Sequence, residues 1–192
     1  MRDRITDILL ESIQVKEELL RTSIKQIKDI ADLMIECLRK NGKVILFGNG
    51  GSASDAQHIA AEFVGRFKRD RTALAGIALT TNTAVLTSLA NDYGYEIVFA
   101  RQIEALGQKN DIAVGISTSG KAKNVALAIK QAKKMGIKTV ALTGGDGGDL
   151  AKLADTSLVV PSNVTARIQE AHITIGHIIC ELVEYALCEE PK

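Results

Sequence analysis

Short runs of near-continuous apolar residues, each closed by a turn and followed by a helical segment, constrain this chain more than any other feature. Lys43–Phe47 (KVILF) is the first, and Leu74–Leu79, Ile112–Ile116, Thr139–Leu142 and Ser157–Val160 repeat its character. A strand with one wet face alternates apolar and polar residues, whereas a strand that is apolar throughout is covered on both faces. Helical periods fill the gaps at Ser54–Phe67, Thr83–Ala90, Glu96–Leu106, Ala122–Met135 and Gly148–Leu153, and Ala166–Leu187 makes a long last helix. The pattern predicts an α/β three-layer sandwich, with a five-stranded parallel sheet flanked by helices. No linker or repeat interrupts it, so a single domain is expected over residues 1–192.

The first forty residues stand apart from this alternation. Ile5, Ile8, Leu9, Ile13, Leu19 and Leu20, then Ile27, Ile30, Leu33, Met34 and Leu38, recur at helical spacing. Thr22-Ser23 is the junction between two helices, and Asn41-Gly42 stops the second. One modest sheet has little face left to cover these stripes. Residues 1–40 are therefore expected to act as a helical oligomerisation extension.

Charge and composition exclude several classes. The formal net charge is +1 and no basic block occurs, so nucleic-acid binding has no electrostatic footprint. No apolar run reaches the ~18 residues of a membrane span. Met1–Glu11 carries Arg2, Asp3, Arg4 and Asp7 and lacks the apolar core of a secretory peptide. The three cysteines, Cys37, Cys180 and Cys188, fit neither a disulfide framework nor a structural zinc site. The expected setting is a reducing cytoplasm.

Ligands of open parallel sheets bind beyond the carboxyl ends of the strands. Three such loops are unusual here: Gly48-Asn49-Gly50-Gly51-Ser52, Ser117-Thr118-Ser119-Gly120 and Thr143-Gly144-Gly145-Asp146-Gly147-Gly148. Glycines admit close backbone approach, and a helix amino terminus offers free N–H groups to an anion. Hydroxyls of Ser52, Ser117, Thr118 and Ser119 add donors. Such loops suit a phosphate or a phosphosugar. The first is neither a Walker loop nor a clean dinucleotide fingerprint, because Ala53 stands where a third glycine would. Plain turn geometry with Ser and Thr caps is the bland alternative.

The helix after the first loop carries His58 and Glu62 four residues apart, on one face. That spacing holds a metal or positions an acid/base pair; an ordinary Glu62–Arg66 surface ion pair is the competing reading. On the last helix Gln169 and His177 lie within roughly 80° of each other, while His172 lies about 140° from His177 and points elsewhere.

The whole constellation resembles the bacterial phosphoheptose isomerases of the sugar-isomerase (SIS) domain family. Its parts are Gly48–Ser52, His58-x-x-x-Glu62, Asn91-Asp92, Ser117–Gly120 and Arg167-Ile168-Gln169-Glu170-x-His172 with His177, in order over nearly the whole chain. The resemblance implies a homotetramer with sites near subunit interfaces. It implies interconversion of sedoheptulose 7-phosphate and D-glycero-D-manno-heptose 7-phosphate, the entry to activated heptose for surface polysaccharide such as lipopolysaccharide. It also implies one zinc ion per subunit on His58, Glu62, Gln169 and His177. Glu62 and His177 match the acid/base pair. Asn49, Gly50, Gly51, Asn91, Asp92, Ser117, Thr118 and Ser119 match substrate-binding positions, and Arg66 matches a residue near the sugar phosphate. Substrate contacts at Ser52, Glu62 and Gln169 complete the expected set. The substrate brings its own carbonyl, so no organic cofactor is expected.

One stretch departs from the family, which continues its second loop as Ser-Gly-Asn-Ser. Here it reads Ser119-Gly120-Lys121-Ala122-Lys123-Asn124, where Ala122 offers no hydroxyl and Lys121 or Lys123 brings charge instead. Two alternatives follow: an isomerase of another phosphosugar, or a non-catalytic SIS-domain binding module like the relative that associates with the replication initiator. That relative lacks the carboxylate matching Glu62.

Overall fold

The computed structural model describes residues 1–188; the last four residues of the expected 1–192 domain lie outside the described residues. Its five strands are β1 (Val44–Gly48), β2 (Gly76–Ala78), β3 (Ile112–Ser117), β4 (Lys138–Gly144) and β5 (Thr156–Val160). All pair in parallel in the order β2-β1-β3-β4-β5. Every residue of β1 and β3 is buried, which is why these strands read as unbroken apolar runs. The expected Leu74–Leu79 strand is the exception. As an edge strand it keeps only three ladder residues; Ala75 accepts the Val44 N–H just before it, and the Leu74 N–H turns to the Phe63 carbonyl at the end of α3.

Two helical layers cover the sheet. One consists of α1 (Arg2–Thr22), α2 (Ile24–Arg39), α3 (Gly51–Val64) and α8 (Thr165–Leu187), packed on Val44, Leu46, Val114, Ile116, Val140 and Leu142. The other consists of α4 (Thr83–Tyr93), α5 (Val98–Leu106), α6 (Lys123–Lys134) and α7 (Gly148–Leu153), on Ile45, Phe47, Ala113 and Ala141. Alternate strand residues thus feed separate cores, as the two-residue period of a strand requires. The junction between α1 and α2 falls at Ser23, and Asn41 adopts φ 57° to end α2.

The helix after β1 starts at Gly51, three residues before the expected Ser54, and ends at Val64 rather than Phe67. Gly50, at φ 57°, turns the chain straight from strand to helix. This order makes β1 and β3 the pair at which the chain switches direction across the sheet, the crevice that ligands use in open α/β folds. The loops bearing Asn49 and Ser117–Ser119 both open there.

α1 buries only Val15 and Leu19, and leaves Ile5, Ile8, Leu9, Leu10 and Ile13 exposed. It is held to α8 by Ser12 Oγ, which donates to Glu170 at 2.8 Å, and by Arg167, which donates to the Ile8 carbonyl at 3.0 Å. Among the described residues no helix is long and apolar enough to cross a membrane.

Candidate active site

α3 and α8 run side by side in the same direction. Ile59 packs against Gly176, where any side chain would collide with it. This contact brings two faces of chemistry together. His58 and His177 meet Nε2 to Nε2 at 2.9 Å, and Glu62 Oε1 stands 3.3 Å from His58 Nε2. One ligand atom from each of the three lies within 4.8 Å of the others. The cluster is reachable: the His58 side chain is half exposed and the Glu62 side chain 23 %. Among the described residues Glu62 makes no ion pair with Arg66, which is exposed beyond the end of α3; the helical spacing serves His58 instead.

The donor set suits zinc. Two imidazoles and one carboxylate form a known catalytic combination, and bonds of ~2.1 Å on tetrahedral corners put ligand atoms about 3.4 Å apart, close to the spacing seen. The Gln169 carboxamide lies at the amino end of α3, where a Cβ on Gly51 would strike it. His58, Glu62 and His177 thus converge within one chain, and Gln169 stands against the Gly48–Ser52 loop.

That loop is tied to its neighbour by side chains. Asn49 and Asn124 exchange two amide hydrogen bonds, each 2.9 Å, and Tyr95 donates to Asn49 Oδ1 at 3.3 Å. The second loop leans on the third, since Gly120 at φ 63° has no room for a Cβ against the Gly147 carbonyl. Between them opens a cavity of about 330 Å³, lined by Thr118, Ser119, Lys121, Gly145, Asn163 and Thr165. Ser52 and Ser117 are buried, whereas Ser119 is open to solvent.

A family model described as the SIS domain matches residues 9–144. A phosphoheptose isomerase of Thermodesulfovibrio yellowstonii is 52% identical over 191 residues, 100% of this chain and 95% of that one. One from Aquifex aeolicus is 51% identical over 98% of this chain and 99% of its own. The chain belongs to the phosphoheptose isomerase family. The solved structure of a phosphoheptose isomerase from Neisseria gonorrhoeae superposes with a TM-score of 0.91 at 43% identity, over 96% of this chain and 98% of that one.

Asn91 and Asp92 sit exposed at the carboxyl end of α4, bonded to each other at 2.8 Å, just before the Tyr95 that reaches Asn49. Gly50 has open space around it, so its need for glycine is the positive φ, whereas at Gly51 the need is room. Of the two lysines in the departing stretch, Lys121 lines the cavity and Lys123 turns away to Glu96 at 3.0 Å. Ala122 forms the amino cap of α6 without a side-chain bond. His172 is a structural pin: it is fully buried, its Nε2 bonds the Thr143 carbonyl at 3.0 Å, and burial pushes its pKa down to about 4.

Sequence reasoning missed Asn124, Tyr95 and Asp55. Asp55 lies one turn before His58, with one carboxylate oxygen buried and unbonded, and desolvation raises its pKa to about 6. Its spacing to His58 and Glu62, three and seven residues on one face, was the available signal.

Proposed function

We propose that this chain is an aldose–ketose isomerase that interconverts sedoheptulose 7-phosphate and D-glycero-D-manno-heptose 7-phosphate in the cytoplasm, the first step toward activated heptose for surface polysaccharide such as lipopolysaccharide. The observation that carries the reading is the convergence of His58, Glu62 and His177 across the α3–α8 seam, together with full-length relatives named for this activity.

Moving a carbonyl from C2 to C1 removes a proton from one carbon and delivers it to the next. A carboxylate and an imidazole do this when held within hydrogen-bond reach of the carbons. Glu62 has two oxygens, so one can face His58 while the other takes the substrate proton. His177 meets His58 through Nε2, and at that atom the roles of proton donor and metal ligand exclude each other at any instant. Zinc held by His58, Glu62, Gln169 and His177, one per subunit, would polarise the carbonyl and stabilise the enediolate. Thr118, Ser119 and Lys121 would bind the phosphate, and Asn49, Gly50, Gly51, Ser52, Ser117 and Gln169 would form the wall beside it. Asn91, Asp92 and Arg66 complete the contact set of this reading.

The reading includes a homotetramer with sites near subunit interfaces, with residues 1–40 as the oligomerisation part of one SIS domain. Two features support it. α1 and α8 flank an apolar groove lined by Leu19, Leu20, Ile24, Ile27, Ile178 and Leu182. Ile5, Ile8, Leu9, Leu10 and Ile13 of α1 also stay exposed and call for a partner surface. A binding-module role is not favoured, because the carboxylate and both imidazoles of an acid/base centre are present and in contact.

The deciding experiment is incubation with sedoheptulose 7-phosphate, following the aldose by NMR, with Glu62→Gln as control. Turnover lost in the variant supports the reading. A wild type silent with and without zinc overturns it for this substrate.

A further inference from the structure

Beyond the seam, the chain leaving α3 folds back over α8 and delivers four donors to one buried carboxylate. Glu184 Oε1 accepts the Phe67 N–H at 3.0 Å and Arg71 Nε at 3.0 Å; Oε2 accepts the N–H groups of Lys68 at 2.8 Å and Arg69 at 3.0 Å. The Arg71 side chain is 4% exposed and that of Glu184 2%. Those hydrogen bonds hold the Glu184 carboxylate below its usual range despite burial. Arg71 spends its remaining donors on the end of α3: Nη2 on the Glu62 carbonyl at 2.8 Å, Nη1 on the Phe63 carbonyl at 2.9 Å and on Thr72 at 3.1 Å. The last carbonyls of a helix have no partner of their own, so this guanidinium completes the helix that bears His58 and Glu62. Phe67, fixed through its own N–H, lays its ring 5.4 Å from the His177 ring.

We infer that the Arg71–Glu184 pair is a positioning unit for the isomerase centre, holding Glu62 on α3 and the Phe67 ring on His177 in register with α8. The inference rests on the isomerase reading for its activity readout. A buried pair is a weak source of stability, since apolar residues of similar volume commonly replace one at no loss. What such residues cannot replace is a donor fork on the Glu62 carbonyl joined to a carboxylate that accepts the Phe67 N–H.

The test compares Glu184→Gln, Arg71→Lys and the double variant Arg71→Met/Glu184→Leu. In Glu184→Gln, kcat falls by about 10–100-fold while KM changes little, the size usual for a residue that orients an active side chain. The double variant regains the wild-type thermal midpoint, yet its kcat stays low. Recovery of kcat along with the midpoint shows that the pair only supports the fold, and overturns the inference. Where the double variant does not fold, Arg71→Lys, which keeps the charge and loses the fork, decides: unchanged kcat overturns, a loss of about tenfold with KM unmoved supports. A wild type that turns over no phosphosugar ends the isomerase reading alone. Amide hydrogen exchange across residues 58–69 then decides the clamp, with faster exchange in Arg71→Lys supporting it and unchanged exchange overturning it.

Discussion

The two ends of α3 are built from opposite materials. Its amino end is glycine and backbone: Gly50 turns on a positive φ, Gly51 leaves room for Gln169, and the helix makes no side-chain cap. Its carboxyl end is saturated: Arg71 fills the last carbonyls and Glu184 fills the loop amides beyond them. One end is shaped by backbone alone, with the Ser52 and Ala53 N–H groups turned onto the Asn49 and Gly50 carbonyls; the other ties the Glu62 and Phe63 carbonyls to a buried side chain. In the proposed reading a single helix thus divides binding from chemistry, and the division can be broken experimentally.

The largest effect belongs to the carboxyl half. Glu62→Gln keeps the shape and removes the base, and kcat is expected to fall 10²–10⁴-fold with phosphosugar affinity largely retained. Steady-state kinetics and isothermal titration check this, and undiminished turnover removes Glu62 from the mechanism. A charge in the α1–α8 groove comes next. Leu20, 67% exposed, becomes Glu in a variant expected to lose the proposed tetramer in light scattering, and turnover with it where sites are shared. An unchanged mass would clear that groove of any role in assembly.

The third test concerns His172, which holds α8 to the end of β4 and so fixes the distance between the two halves. Its pKa is about 4 folded against 6.5 unfolded, so the unfolded chain binds the extra proton. The stability it contributes is present above pH 6.5 and is lost as pH falls toward 4, on the order of 3 kcal/mol in all. Urea midpoints at pH 7, 5.5 and 4.5 should decline through this window, and His172→Gln should flatten the decline. A variant as acid-sensitive as wild type assigns the loss elsewhere. The smallest effect is at the amino end: Gly51→Ala crowds Gln169 and should raise KM about tenfold, roughly 1.4 kcal/mol, with kcat little moved. A change in kcat alone would erase the division between the two ends.

The sequence disclosed what depends on local period. Unbroken apolar runs marked β1, β3 and β4, and the Thr22-Ser23 junction fell where α1 meets α2. The edge strand is shorter than its apolar run, because Leu74 and Ala78 are apolar for the α3 core and Ile77 and Leu79 for the opposite one, whatever the length of the ladder. The start of α3 was set late, because a glycine-led turn carries no capping residue to announce it. At the site, His58 and Glu62 were legible from their four-residue spacing. Asn124, Arg71 and Glu184 were not: each acts through a partner far along the chain, and nothing in a local window says which polar residue will be buried. Gln169 and His177 share a helix face by period, but only the packing of α3 on α8 shows that one lies against Gly51 and the other against His58.

The order of the sheet also governs how the site comes into being. β4 meets β5 after a short excursion, Val140 beside Thr156, whereas β1 must find β3 across three α-helices and an edge strand, Val44 beside Ile112. Closing the longer loop costs more chain entropy before any contact rewards it, so the β3–β4–β5 half has the lower barrier to assembly. The Asn49–Asn124 bond joins the loop of the late strand to the helix of the early half. The wall that the Gly48–Ser52 loop adds beside the Ser119 cavity is therefore among the last parts of the molecule to exist, and in the proposed reading a nascent chain has no complete substrate site until the fold is complete.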